Sequence, residues 1–107
     1  MSKEQLETIL RILRIELSRI LGDQLEAVYL YGSQARGDAR SDSDIDILVV
    51  LRGDFNYFDM IEKTGQVVAD LSLENDTVIT LVFVSKDNYE RRHTPFLMNV
   101  QREGIAV

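Results

Sequence analysis

The sequence predicts an α/β fold, a small mixed β-sheet of about three strands flanked by helices, with elements in the order α-β-α-β-α-β-α. Three observations predict it. Apolar residues recur at helical spacing near the N-terminus, and three short runs of β-branched, aromatic and aliphatic residues follow, set apart by polar segments. The second of these runs contains Ile47-Leu48-Val49-Val50, an unbroken apolar stretch that asks for cover on both faces of a strand.

Taken in order, Ser2 with Gln5 three positions later is a capping-box start. Leu6, Ile9, Leu10, Leu13, Leu17, Ile20 and Leu21 then mark one face of a helix that Gly22 terminates. Leu25 to Tyr31 reads as the first strand. Gly32-Ser33 ends it, and Gln34 to Asp38 forms a short helix or turn. Asp44 to Leu51 is the second strand and Arg52-Gly53-Asp54 a turn. A helix from about Asn56 to Glu74 places Phe58, Ile61, Val67, Val68 and Leu71 on one side. Thr77 to Val84 is the third strand. Ser85 caps a final helix, interrupted near Pro95 and closed by Gly104.

The 107 residues fit one domain, 1–107, with a single core. A net charge of −6 argues against a basic surface for DNA or RNA, because such a surface neutralises phosphates with Lys and Arg. With no cysteine, neither disulfides nor thiolate zinc sites arise. No secretory leader or run of ~20 apolar residues is present, so a cytoplasmic protein with no membrane partner is the expectation.

One stretch carries chemistry. Gly32-Ser33 is followed, after ten residues, by Asp44-Ile45-Asp46 at the head of the second strand. Strand side chains alternate, so Asp44 and Asp46 point the same way while Ile45 and Ile47 face a core. Two neighbouring carboxylates repel. A divalent cation relieves that repulsion, and Mg²⁺ is commonly held by one or two carboxylates together with substrate phosphates. Gly32 and Ser33, between a strand and a helical turn, can hold phosphate oxygens through backbone N–H groups and a hydroxyl. An ordinary Gly-Ser turn and a pair of solvated strand-end acids are the competing readings. Arg36 can neutralise triphosphate charge, or be a solvated surface arginine. No Gly-Lys-Ser/Thr follows, which excludes a Walker-type loop. Asp42-x-Asp44-x-Asp46 opens like a calcium loop, but Ile47 and Gly53 stand where that loop needs Gly and Glu. His93, the only histidine, reads as a surface residue, and Arg91-Arg92 as a solvated helix face.

At these residues the sequence resembles the polymerase-β-type nucleotidyltransferase superfamily and, within it, the minimal nucleotidyltransferase (MNT) domains. Their signature is Gly-Ser, ten residues, then Asp-x-Asp, here Gly32-Ser33 and Asp44-Ile45-Asp46, with Ala35-Arg36-Gly37 and Ser41-Asp42-Ser43 as similar filling. The four fixed letters match by chance about once in 10⁵ start positions. The resemblance implies a nucleotidyltransferase fold and a nucleoside triphosphate, ATP foremost, as substrate. It also implies that Ser33 contacts the terminal phosphates and that Asp44 and Asp46 bind two Mg²⁺ ions, with Mn²⁺ as a substitute. Finally, it implies pairing with a HEPN-type helical toxin, whose antitoxin this chain would be, by transferring AMP to it.

Two departures bear on activity. Active members carry a third carboxylate on the third strand, whereas Thr77-Val78-Ile79-Thr80-Leu81-Val82-Phe83-Val84 has no acid. Thr80 or Ile79 falls at that position, and Asp70, Glu74 and Asp76 are the acids near enough in sequence to reach in. The chain is also short, so the other half of a cleft would come from a HEPN-type partner or a second copy. Two readings follow: an enzyme moving AMP from ATP–Mg²⁺ to a hydroxyl acceptor on a partner protein, or a nucleotidyltransferase-fold binding module that neutralises its partner by contact.

Overall fold

The computed structural model describes residues 1–40, 44–91 and 93–107. Asp42, with its neighbours Ser41 and Ser43, and Arg92 therefore lie outside the described residues. Helix α1 spans Lys3–Leu21 and is capped by the Ser2 hydroxyl, which accepts a hydrogen bond from the Gln5 N–H at 3.0 Å. A 3₁₀ turn, Gly22–Gln24, leads into strand β1, Leu25–Tyr31. Then come α2 (Ser33–Arg36), β2 (Ile45–Leu51), α3 (Tyr57–Glu74) and β3 (Ile79–Ser85). Helices α4 (Lys86–Arg91) and α5 (Pro95–Glu103) are followed by strand β4 (Ile105–Ala106).

The sheet runs β3-β2-β1-β4, with β2 and β3 parallel and the other two pairs antiparallel. It is mixed, as the sequence predicts, but has four strands. The fourth was missed because two residues carry no periodicity; what holds them is pairing with Tyr29 and Leu30 on the far edge of β1. The interruption near Pro95 divides the last helical segment into α4 and α5. Pro95 opens α5 where a missing N–H costs nothing, and Thr94 caps it through the Leu97 N–H at 3.2 Å.

Strand β2 sits between β1 and β3 and is buried on both faces, as its apolar run implies. Ile45, Ile47, Val49 and Leu51 enter the larger core with Ile9, Leu13, Leu17 and Leu21 of α1 and Met60 and Leu71 of α3. Leu48 and Val50 face the other way, against Leu97 and Val100 of α5. Asp46 belongs to this second row by alternation, at its open end.

Helix α3 follows the predicted face at its C-terminal half, where Leu71 is buried and Val67 and Val68 pack against the core, but is turned from it in the first two turns. Met60, Thr64 and Leu71 are buried, whereas Phe58 is 80% exposed and Ile61 49%. A polar residue occupies the inner stripe because the Thr64 hydroxyl donates to the Met60 carbonyl at 2.7 Å, satisfying its hydrogen bond inside the helix. Hydrophobicity alone passes over such a residue.

Candidate active site

Three strands bring three side chains into one row across the sheet. Tyr31 ends β1 opposite Asp46, and Asp46 pairs in register with Thr80 of β3. The Thr80 hydroxyl donates to Asp46 Oδ1 at 2.9 Å. Of the two residues predicted to face the aspartates, Thr80 is therefore the one that does so, while Ile79 is buried in the larger core.

The other carboxylate oxygen lies against Gly32. That glycine has φ +75° and ψ −159°, a region that residues with a side chain avoid, and a Cβ there would stand 2.5 Å from Asp46 Oδ2. Glycine is thus required by the protein itself, before any ligand is considered. Beyond it the chain turns at once into α2. The Ala35 and Arg36 N–H groups both donate to the Gly32 carbonyl at 3.1 Å, and Gly37 closes the helix with φ +81°. Ser33 is the first helical residue, directly after the glycine that touches Asp46.

Asp44 falls one residue before β2 rather than within it, and is exposed. Strand alternation consequently fixes the direction of Asp46 but not of Asp44. Arg36 reaches two carboxylates, Asp38 Oδ2 at 3.2 Å and Glu103 Oε2 at 3.4 Å, and hydrogen bonding to both holds its guanidinium even more firmly protonated than usual. Glu103, at the end of α5, is a neighbour that sequence reasoning missed, since nothing local signals a contact across 67 positions. Tyr31 was missed as well, although its place immediately before Gly32 is the signal. Burial, then the charge of Asp46, raises its phenol above the ordinary tyrosine range, so it stands beside the carboxylate as a neutral hydroxyl. Its ring meets Phe96 of α5 edge-on, 5.3 Å between centroids.

Asp70 and Glu74 line a groove between α1 and α3, on the opposite side of the sheet from Asp46, and Asp70 accepts a hydrogen bond from Gln66 at 2.7 Å. Asp76 is exposed, in a turn with φ +48°. Among the described residues no cluster of three or more acids or histidines could hold a metal ion. Among the described residues the donor set at this end of the sheet is the Asp46 carboxylate with the Thr80 and Tyr31 hydroxyls in its row, and Asp44 just before the strand. It fits a single Mg²⁺ whose remaining ligands are phosphates and water, and does not fit a cage of three acids. His93 is exposed, and Arg91 pairs with Asp87 at 2.9 Å.

A glycine-floored turn against a strand aspartate, at the open end of a mixed sheet, defines the class: the chain belongs to the nucleotidyltransferase domain family, whose model matches residues 10–97. It is a nucleotidyltransferase by class. Two proteins of Methanocaldococcus jannaschii, both provisionally named protein adenylyltransferases, are similar to it. One is 29% identical over 92% of this chain and 95% of its own length, and the other 35% identical over 76% of each. Among solved structures, a protein provisionally named a minimal nucleotidyltransferase superposes with a TM-score of 0.62 at 24% identity, covering all of both chains. A chain from the complex of a tri-AMPylated HEPN toxin with MNT antitoxin, from Shewanella oneidensis, superposes with a TM-score of 0.57 at 22% identity, over 95% of this chain and 70% of its own. Those two likenesses establish the fold. Among the described residues no helix is long and apolar enough to cross a membrane.

Proposed function

We propose that this chain, as one nucleotidyltransferase domain over residues 1–107, transfers a nucleoside monophosphate, AMP from ATP foremost, to a hydroxyl on a partner protein. In this reading it is the cytoplasmic, antitoxin-type MNT half of a HEPN/MNT pair. The observation that carries the proposal is the packing of Gly32 against the Asp46 carboxylate, which sets a turn suited to phosphate beside a carboxylate suited to a cation at one end of the sheet. The M. jannaschii relatives, named for protein adenylylation and matched over most of their length, support the choice of AMP and of a protein acceptor. The HEPN toxin bearing AMP groups, seen beside the Shewanella MNT antitoxin, supports the choice of partner.

Asp44 and Asp46 would hold Mg²⁺, or Mn²⁺ in its place. When bound, the cation would neutralise triphosphate charge and polarise the phosphoryl group under attack. The chain's own groups do the rest. Thr80 fixes the rotation of the Asp46 carboxylate. Gly32 admits the backbone close to phosphate, and the Ser33 hydroxyl donates to a phosphate oxygen. Tyr31, kept protonated, is a further donor beside the carboxylate. Arg36, held near α2 by Asp38 and Glu103, adds positive charge where the triphosphate lies. In-line attack forms a bond from the acceptor oxygen to the α-phosphorus and breaks the α–β bridge, releasing pyrophosphate while the acceptor proton passes to solvent.

Thr80 favours a second reading, a binding module that silences a HEPN-type partner by contact, since no carboxylate stands on β3. Incubation with α-³²P-ATP, Mg²⁺ and the product of the neighbouring gene separates the two. Label on the partner that disappears with Asp46→Asn supports transfer. Neutralisation of the partner without label supports contact alone.

A further inference from the structure

We infer that this site works with a single divalent cation, the one that arrives on the nucleotide, and that Thr80 is the residue that denies a second cation its place. The inference rests on the nucleotidyltransferase reading above. In a two-metal displacement one cation steadies the leaving oxygens and the other the attacking oxygen. The first is held largely by the phosphates it accompanies. The second lies on the side of the acceptor, away from the phosphate tail, and so depends on oxygens from the protein.

Here those oxygens are few. In the row Tyr31–Asp46–Thr80, the only carboxylate is Asp46, and its neighbours on both strands are hydroxyls. Thr80 does more than fail to supply a charge. Its hydroxyl donates to Asp46 Oδ1 at 2.9 Å, engaging one lone pair of the oxygen on the β3 side and leaving Oδ2, beside Gly32, to the nucleotide's own cation. On the β1 side, Tyr31 offers a phenol hydroxyl in place of a carboxylate. Among the described residues, Asp44, exposed before the strand, is the other acid of the Asp-x-Asp pair, and the nucleotide's own cation also needs it. No third acid or histidine joins the cluster among the described residues. A second Mg²⁺, which demands near-octahedral oxygen ligation, finds too few ligands among the described residues.

The test is a titration of Mn²⁺ into the full chain saturated with a non-hydrolysable ATP analogue, with free Mn²⁺ read by electron paramagnetic resonance. The wild-type complex is expected to bind one Mn²⁺ per nucleotide, and Thr80→Val likewise one. Thr80→Asp is expected to double the count to two. Two ions of similar affinity in the wild type, or a folded Thr80→Asp that stays at one, would overturn the inference. Should Thr80→Asp fail to fold, as its melting curve would reveal, the wild-type count decides alone. A wild-type chain that binds neither nucleotide nor Mn²⁺ contradicts the nucleotidyltransferase reading itself, whereas nucleotide bound with two ions contradicts only the single-cation inference.

Discussion

Asp46 has one carboxylate oxygen against the Thr80 hydroxyl and the other where a Cβ on Gly32 would stand 2.5 Å away. That arrangement makes Gly32 the least replaceable residue of the site. Gly32→Val puts a branched side chain where φ is +75° and where Asp46 Oδ2 already sits. The backbone conformation alone costs about 1–3 kcal/mol, and the collision displaces the carboxylate as well. Ser33→Ala removes one hydroxyl contact to a charged phosphate, about 1.5–3 kcal/mol of nucleotide affinity. Calorimetric titration with ATP–Mg²⁺ is therefore expected to show weakened binding for Ser33→Ala and none for Gly32→Val. Equal losses would mean that Gly32 does not shape the site.

Helices α3 and α4 supply the tests at the scale of elements. Met60 is 2% exposed and Phe58 80%, so Met60→Ala is expected to lower unfolding stability in urea by about 2–5 kcal/mol and Phe58→Ala to change it by at most about 0.5 kcal/mol. The reverse order would restore the face that hydrophobicity alone suggests. On the other side of the sheet, Tyr89 of α4 stacks on Tyr29 of β1, 5.4 Å between centroids. Burial first, and then Tyr29, push its phenol up to about 12. A folded-state value above the unfolded value of 10 means the native state holds this proton more tightly. Its contribution is complete below pH 10 and is lost as pH rises through about 12. Urea unfolding at pH 9 and pH 11 should show a smaller alkaline loss for Tyr89→Phe than for the wild type; equal losses would contradict this docking of α4.

Much of this was legible because it is written locally. The Ser2 cap, the helix end at Gly22, the two-faced burial of β2 and the Gly-Ser to Asp-x-Asp spacing each depend on residues close in sequence, and the structure shows the caps and the burial where those residues put them. What escaped is set by distant partners. The inner stripe of α3 depends on a threonine satisfied by its own helix, β4 on an edge offered by β1, and the surroundings of Arg36 on Glu103 at the far end of the chain. Asp44 escaped for another reason: the strand begins one residue later than its apolar pattern suggests, so alternation does not govern that side chain.

For the molecule as a whole, the sheet holds two cores apart and leaves one aspartate at the open end of its second face, beside the turn that follows β1. The central claim is that ATP–Mg²⁺ binds there. A ligand that binds only the folded state at a hundred times its Kd adds about 2.7 kcal/mol, on the order of ten degrees in Tm for a domain of this size. The most direct measurement compares the thermal shift produced by ATP–Mg²⁺ in the wild type and in Asp44→Asn with Asp46→Asn. A shift of that order in the wild type, abolished in a double variant whose own melting point is unchanged or raised by the relief of like charges, is the expected result. A shift that survives the double substitution would place the nucleotide elsewhere and contradict the account.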